Sequence, residues 1–312
     1  MSPMIAAFGG GIMSEKTLFV QVPATLANLG SGFDALGVAL DLYLEVSATL
    51  APTDQLHYTG QGQLPNTPDN LIHQGYRAAW QALGEYHPPR LAIQAHNPIP
   101  LARGMGSSSA ALVAGAALAD ALSGGQLGLD GVFRVTAGLE GHPDNVAPAV
   151  YGGFVAALAD PPLALPLPAP KEPLFVLGVP AYEVPTPLAR AALPSSVPHA
   201  DAVFNLARSA LWPAALYSGR LEALREAARD RLHQPYRAHL MPGIEPALEQ
   251  VYAAGALAAF VGGAGPTLAA LAQASQVEAI RRALQDYVGQ GSTLVLGLGE
   301  GLRWKAISTP SR

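Results

Sequence analysis

The sequence predicts an α+β chain built as two units, and three observations predict it. Segments with a period of two and segments with a period of 3.6 intermix along the 312 residues without a strict βαβ repeat. A strip from Asp160 to Pro173 holds six prolines in fourteen residues, which excludes a helix or an interior strand and marks a boundary. Half of the residues are hydrophobic and only 13% are charged, so the chain can fill a sizeable core and is too apolar to be disordered.

The elements follow in order. Thr17 to Val22 alternates and reads as a strand, and a second strand is expected around Tyr43 to Leu50. Asp69 to Leu83 carries apolar residues at helical spacing, with Asp69 as the expected N-cap and Gly84 as the stop. Leu91 to Ala95 reads as a short strand, Ser107 to Leu122 as an alanine-rich helix, Asp130 to Leu139 as another helix and Gly153 to Leu158 as a strand. Beyond the proline strip a strand is expected at Leu174 to Val179, then helices near Ala200 to Tyr217, Arg220 to Arg229 and Ile244 to Ala253. A strand at Ala256 to Val261, a Gly-Pro turn, a helix at Gln276 to Val288 and a strand at Thr293 to Leu296 complete the expectation. The two units are then 14–165 and 166–312. Residues 1–13 are apolar and glycine-rich and read as a disordered extension or an upstream start, with Met13 as the alternative to Met1.

Composition excludes several functions. The formal net charge is −5, so no basic surplus points to nucleic acid and no polybasic run points to a membrane. The longest apolar helical run, Ala110 to Ala119, falls well short of the roughly 20 residues that a membrane span needs. There is no cysteine, which rules out disulfides, thiolate catalysis and cysteine-bound zinc and agrees with a cytoplasmic enzyme. An anionic ligand would have to be met locally, by helix ends, glycine amides and metal, because the global field opposes it.

The most chemically loaded segment runs Pro100, Leu101, Ala102, Arg103, Gly104, Met105, Gly106, Ser107, Ser108, Ser109. Its glycines let backbone amides approach an anion closely. Its serines open a long helix whose free N–H groups and positive end suit a phosphate. A Walker A loop is excluded, since the lysine after the last glycine is absent and the spacer is wrong. On the residues alone, two readings stay open: a phosphate-binding loop, or an ordinary loop whose serine caps a core helix. A second glycine string, Gly297 to Gly301, has no helix pattern behind it and is not read as a dinucleotide site. No G-x-S-x-G elbow occurs, so a serine hydrolase is excluded.

The loop resembles the phosphate-binding motif of the GHMP kinases, P-x-x-x-G-L-G-S-S, with Met105 in place of the usual leucine. Three further segments resemble the homoserine kinase branch. They are Val22 to Gly37 with Asn28 and Asp34, Glu140 to Pro148 with His142, Asp144 and Asn145, and Gly262 to Thr267. In the last, Gly262 and Ala264 stand where serines are common in the family. The four segments run in family order over most of the chain.

The resemblance implies a first unit like ribosomal protein S5 domain 2, a ferredoxin-like second unit, and a site between them. It implies ATP-dependent phosphorylation of L-homoserine to O-phospho-L-homoserine, in threonine biosynthesis. ATP and Mg²⁺ are the implied cofactors, and a homodimer is the family-level expectation. The loop from Pro100 to Ser109 would wrap the phosphates, and Asn70 and Leu71 would contact adenine. Ser108 and Glu140 would coordinate Mg²⁺, whose preference for hard oxygen ligands suits them. Asn28, Asp34, Asn145, Thr186, Arg190, Arg237 and Gly263 would form the acceptor pocket. Asp34 would meet the ammonium, and Arg190 and Arg237 would grip the carboxylate. Asp144 and Asn145 would stand beside the transferred group. Whether Asp144 is a general base or the hydroxyl proton goes to phosphate is left open, and His142 is read as a residue shaping its turn. Two rival readings remain: a related kinase acting on a mevalonate-like or sugar alcohol, and a non-catalytic ligand-binding member.

Overall fold

The computed structural model describes residues 16–62, 69–170 and 172–308; the extension expected over 1–13 lies outside them. The chain begins with β1 (Lys16–Ala27), β2 (Leu36–Leu50), β3 (Gln55–Gly60), α1 (Leu71–Ala82), β4 (Leu91–Asn97) and α2 (Ser107–Leu122). Next come α3 (Gly128–Glu140), α4 (Val146–Tyr151), β5 (Phe154–Leu158) and β6 (Leu163–Leu167). After the proline strip follow β7 (Leu174–Val179), α5 (Thr186–Ala191), α6 (His199–Ser218), α7 (Leu224–Ala227), α8 (Gln234–Arg237) and α9 (Ile244–Ala253). The chain ends with β8 (Ala258–Val261), β9 (Leu268–Ala272), α10 (Val277–Ala283), α11 (Gln285–Val288), β10 (Ser292–Leu296) and β11 (Arg303–Ser308).

Two sheets result. The first runs β11-β1-β2-β4-β3, with β5 on β2 and β6 on β5; the second runs β10-β7-β9-β8 and is antiparallel throughout. One irregularity shapes the first sheet. The β1–β2 register jumps between Pro23, which faces Tyr43, and Ala24, which faces Leu40. Such a bulge bends the bulged strand. The front of β2 consequently pairs with β5 and its back half with β4. The proline strip does hold a strand, β6, but only at an edge: it pairs with β5 alone, so Pro166 breaks no interior ladder.

Strands β7, β9 and β8 of the second sheet are buried on both faces. Val176 of β7 joins a core with Ile244, Val251, Ile280 and Leu284, while its neighbours Phe175 and Leu177 face the core shared with the first sheet. Phe175, Phe154, Trp212 and Phe260 form an aromatic chain between the two sheets, with successive ring centroids 6.0 to 6.2 Å apart. Two-sided burial explains why β8 and β9 are runs of apolar residues and not alternating strands.

Helix α2 is the element that positions the site. It is apolar all round, and from Ser109 to Leu122 every residue is buried, as such a helix must be. It lies against β1 on one side and α1 on the other. The α1–α2 approach is close because two glycines allow it. A Cβ on Gly115 would sit 1.9 Å from the Ile72 carbonyl oxygen, and one on Gly75 would sit 2.1 Å from that of Leu112.

Some expectations need correction. The N-cap of α1 is Asn70, whose side chain accepts from the His73 amide; Asp69 instead offers its carbonyl to the Gln74 side chain. The helix expected over 276–288 breaks into α10 and α11, and that over 220–229 reduces to a 3₁₀ turn followed by α7. The string Gly297 to Gly301 crosses beside β2, where Gly299 donates to the Ala39 carbonyl and its own carbonyl accepts from Gly153. Among the described residues, no helix is long and apolar enough to cross a membrane.

Replacing Gly115 with Ala must push α1 off α2. The expected cost is about 1–3 kcal/mol, in line with overpacking elsewhere. Thermal unfolding should show a Tm lowered by several degrees, and an unchanged Tm would contradict the close approach.

Candidate active site

One cleft, of about 280 Å³, opens where the two units meet. The loop from Pro100 to Ser108 forms one wall, with Leu71 and Tyr58 at one end and Asp34, Arg190 and Arg237 at the other. Glu140, His142, Asp144, Asn145, Thr186, Gly263 and Asn28 also line it. Asn70 and Ser109 are buried behind that surface, at 3% and 0% exposure.

The glycine loop is wound tightly by left-handed residues. Ala102, Gly104 and Gly106 have φ of 52°, 72° and 69°. Two of these positions also lack room for a side chain. A Cβ on Gly104 would fall 1.9 Å from the Gly262 carbonyl oxygen, and one on Gly106 would fall 1.9 Å from Thr25 Oγ1. Gly104 therefore lets the loop of the first unit rest on the Gly262–Gly265 turn of the second.

The two readings of the loop can now be separated. The N-cap of α2 is Gly106, and no side chain caps the helix. The serines are engaged elsewhere. Ser107 Oγ accepts from Asn97 Nδ2 at 3.0 Å, while Ser108 and Ser109 each donate to Glu140 Oε1 at 3.0 Å. Gly106, Ser107 and Ser108 line the cleft at the positive, uncapped end of a buried helix, an arrangement that suits an anion. Glu140 ends α3, where its charge opposes the helix dipole. Two hydroxyl donors offset part of that cost, and a cation would offset the rest. Ser108 and Glu140 supply hard oxygen donors beside the amides, a set that fits Mg²⁺. Arg103 stands at the rim, its guanidinium on the carbonyls of Leu101, Pro180 and Ala181 and on Glu183.

At the other end, the turn after β1 is strained. Asn28, Leu29, Gly30 and Asp34 all have positive φ, and such strain persists only where the surroundings hold it. Asn28 does the holding: its Oδ1 accepts from the Asp34 amide at 3.0 Å and its Nδ2 donates to the Gly263 carbonyl at 3.0 Å. The turn thereby presents Asp34 to Arg190, which donates to both carboxylate oxygens at 2.7 and 3.1 Å. Those hydrogen bonds raise the already high Arg190 pKa, against the effect of burial. Arg237 is 2% exposed and gives Nε to the Ala189 carbonyl. Burial first, then the charge of Arg190, brings its pKa down to about 10, so it stays charged at neutral pH.

The floor carries Asp144, 2% exposed, whose Oδ1 lies 2.9 Å from His142 Nδ1. Asn145 Oδ1 accepts from Thr25 Oγ1 at 2.8 Å. Asp34, His142 and Asp144 offer ligand atoms within 4.8 Å of one another, an anionic spot that suits a cationic group. Burial disfavours the His142 cation, but the hydrogen bond and charge of Asp144 outweigh it, and the imidazole pKa lies above its ordinary value.

Sequence reasoning missed Phe33, Tyr58, Asn97 and His233. Phe33 sits inside a motif that had been singled out, and its ring carries the Arg190 and Arg237 guanidiniums at 5.6 and 5.2 Å. Asn97 Nδ2 bridges Tyr58 and Ser107, joining β3 to the start of α2, a tertiary contact with no local signal.

The chain is similar to known proteins over most of its length. A family model described as the GHMP kinases N terminal domain matches residues 70–153, and one described as GHMP kinases C terminal matches 214–290. The homoserine kinase of Thermus thermophilus is 73% identical over 287 residues, 92% of this chain and 98% of its own length. A crystal structure of homoserine kinase from Cytophaga hutchinsonii superposes with a TM-score of 0.83 at 28% identity, covering 93% of this chain and 97% of that one. The mevalonate kinase of L. major gives a TM-score of 0.69 at 15% identity over 90% and 95% of the two chains, a likeness of fold alone.

The His142–Asp144 pair makes stability depend on pH. Because the folded pKa is raised, the contribution is full below the ordinary value of about 6.5 and is lost as pH rises through the folded value. The unfolding free energy of the wild type minus that of His142→Asn should therefore shrink as pH rises above about 6.5 in denaturant titrations. A difference that does not change with pH would contradict the pairing.

Proposed function

The chain belongs to the homoserine kinase family of the GHMP kinases, and from that premise we propose how its cleft works. It is an ATP-dependent phosphotransferase that converts L-homoserine to O-phospho-L-homoserine, a step of threonine biosynthesis. One observation carries the reading: the uncapped amino end of α2 and the Arg190, Arg237 and Asp34 group line one cleft.

The amides from Gly106 to Ser108 receive the phosphate oxygens, and the glycine loop keeps them at close approach. Leu71 and Tyr58 bound the end left for the nucleoside. Ser108 and Glu140 would hold Mg²⁺, which when bound neutralises charge on the phosphate oxygens. Phosphoryl transfer passes through a loose transition state, so positioning and charge neutralisation are what the protein must supply.

At the acceptor end the charged groups match an amino acid. The Arg237 and Arg190 guanidiniums suit its carboxylate, and the carboxylates of Asp34 and Asp144 suit its ammonium. Arg190 already holds Asp34 in a bidentate pair, so acceptor binding exchanges part of one ion pair for two others and does not desolvate bare charges. Asp144 and Asn145 offer hydrogen-bond acceptors to the side-chain hydroxyl, and Thr186 and the Gly263 carbonyl close the pocket. A mevalonate-like acceptor has no ammonium and would leave the Asp34–Asp144 side uncompensated.

A coupled ADP-release assay with Mg-ATP over homoserine, mevalonate and galactose tests this. Homoserine should be turned over at least about a hundredfold more efficiently, the scale set by buried charged groups left unpaired. Comparable turnover of mevalonate or galactose would overturn the acceptor assignment, and nucleotide binding without turnover of any of them would leave a non-catalytic protein. Glu140→Ala should lower kcat by about 10²–10³ with Tm nearly unchanged, as expected for a lost electrostatic contribution at the transferred group. Wild-type kcat at saturating Mg²⁺ would remove Glu140 from the site.

A further inference from the structure

Arg237 is aimed by a buried histidine that the acceptor reading does not use. His233 has no exposed surface. Its Nε2 lies 2.8 Å from the Gly30 carbonyl oxygen. A carbonyl can only accept, so Nε2 carries the proton. On the other side of the ring, Nδ1 lies 3.3 Å from Arg237 Nη1. A guanidinium can only donate, so this contact requires a lone pair on Nδ1. Both contacts exist together only for the neutral ring protonated on Nε2.

The surroundings hold that ring in place. One face stacks on Phe33, with centroids 5.1 Å apart and planes 27° apart. Asp230 Oδ2 accepts from the His233 and Gln234 amides at 3.0 and 2.6 Å, and its Oδ1 accepts from Leu232 N and Asn205 Nδ2. Asn205 Nδ2 also reaches the Ser31 carbonyl. The charged groups nearest the ring are thus Asp230 at 3.6 Å and Arg237, with Asp144 acting from farther off. Burial lowers the His233 pKa; Asp230 opposes this and Arg237 adds to it, so the net direction is towards the neutral ring.

We propose that His233 is a positioning residue for acceptor recognition: its neutral imidazole accepts from Arg237 through Nδ1, donates to the Gly30 carbonyl through Nε2, and so fixes the carboxylate-binding arginine relative to the strained turn that carries Asp34. The remaining Arg237 contacts, Nε on the Ala189 carbonyl and Nη1 on the Gly263 carbonyl, come from the second unit. His233 ties this arginine by hydrogen bonds to the Gly30 carbonyl of the turn, beside the Phe33 ring over which the guanidinium also lies. This inference rests on the acceptor reading given above.

Two substitutions separate the ring's two nitrogens. His233→Asn places an amide oxygen close to the Nδ1 position and leaves nothing at Nε2. His233→Gln reaches the Nε2 position and leaves no acceptor at Nδ1. In steady-state assays His233→Gln should raise the KM for homoserine about tenfold, the effect of losing a hydrogen bond to a charged group. The KM for ATP should stay within about twofold in both variants, and His233→Asn, which keeps the acceptor for Arg237 but loses the tie to Gly30, should raise the homoserine KM less than His233→Gln does. A folded His233→Gln enzyme with unchanged homoserine KM overturns the proposal. So does a parallel rise in both KM values with a fall in Tm in both variants, which marks a purely structural role. Arg237→Leu is the control. If it leaves the homoserine KM unchanged, the acceptor reading itself fails; if it raises that KM and His233→Gln does not, only the present inference fails. Should both histidine variants fail to fold, ¹⁵N NMR of the histidine-labelled wild type decides. It should show a ring that stays neutral with its proton on Nε2 well below the ordinary histidine pKa, and the absence of any such ring overturns the assignment.

Discussion

The amino end of α2 is the constraint on which the rest of the structure depends. An uncapped helix terminus is costly when buried dry, because several N–H groups then lack partners. Here the terminus is left open to a cleft and the helix body is packed on all sides. Thr25 and Asn145 fix the loop beside Gly106, the Gly262–Gly265 turn supports Gly104, and Glu140 ties the serine hydroxyls away from the helix's own amides. Each of these contacts would be unhelpful to a helix that merely had to fold. Together they hold a set of donors facing solvent, where an anion can reach them.

The acceptor end follows a similar logic with opposite charges. The positive φ values from Asn28 to Asp34 cost backbone strain. That strain is held by Asn28 on one side and by contacts from the second unit on the other. Gly30 shows how tight the second contact is, since a Cβ there would fall 1.9 Å from the Ala228 carbonyl oxygen. The turn and the two arginines are therefore set by packing between units before any ligand arrives. Preorganisation of this kind lowers the ordering cost of binding a small, highly charged substrate.

Much of this was legible in the sequence, for identifiable reasons. The bounds of α2 follow from its alanine-rich composition between Gly106 and the Ser-Gly-Gly after Leu122, and the glycine loop from composition alone. The proline strip was legible because proline removes donors wherever it stands. What escaped depends on tertiary context. β9 is all apolar and short because both its faces are buried, so no alternation announces it. β11 is an exposed edge strand of mixed polarity that exists because β1 is there to pair with it. The capping role of Asn70, one residue from the expected Asp69, turned on which side chain could reach His73 N. In the site, the roles of individual residues came through family resemblance, and the Phe33 platform and the His233–Gly30 anchor became visible only once residues some 200 positions apart were brought together.

The central claim is that the first-turn amides of α2 hold the nucleotide's phosphates. A crystal structure of the protein with a non-hydrolysable ATP analogue tests it most directly. The account predicts phosphate oxygens within hydrogen-bond distance, about 2.7–3.2 Å, of the backbone nitrogens from Gly106 to Ser108, with the terminal phosphate facing Asp144. Phosphates bound elsewhere, with those amides left to solvent, would contradict it.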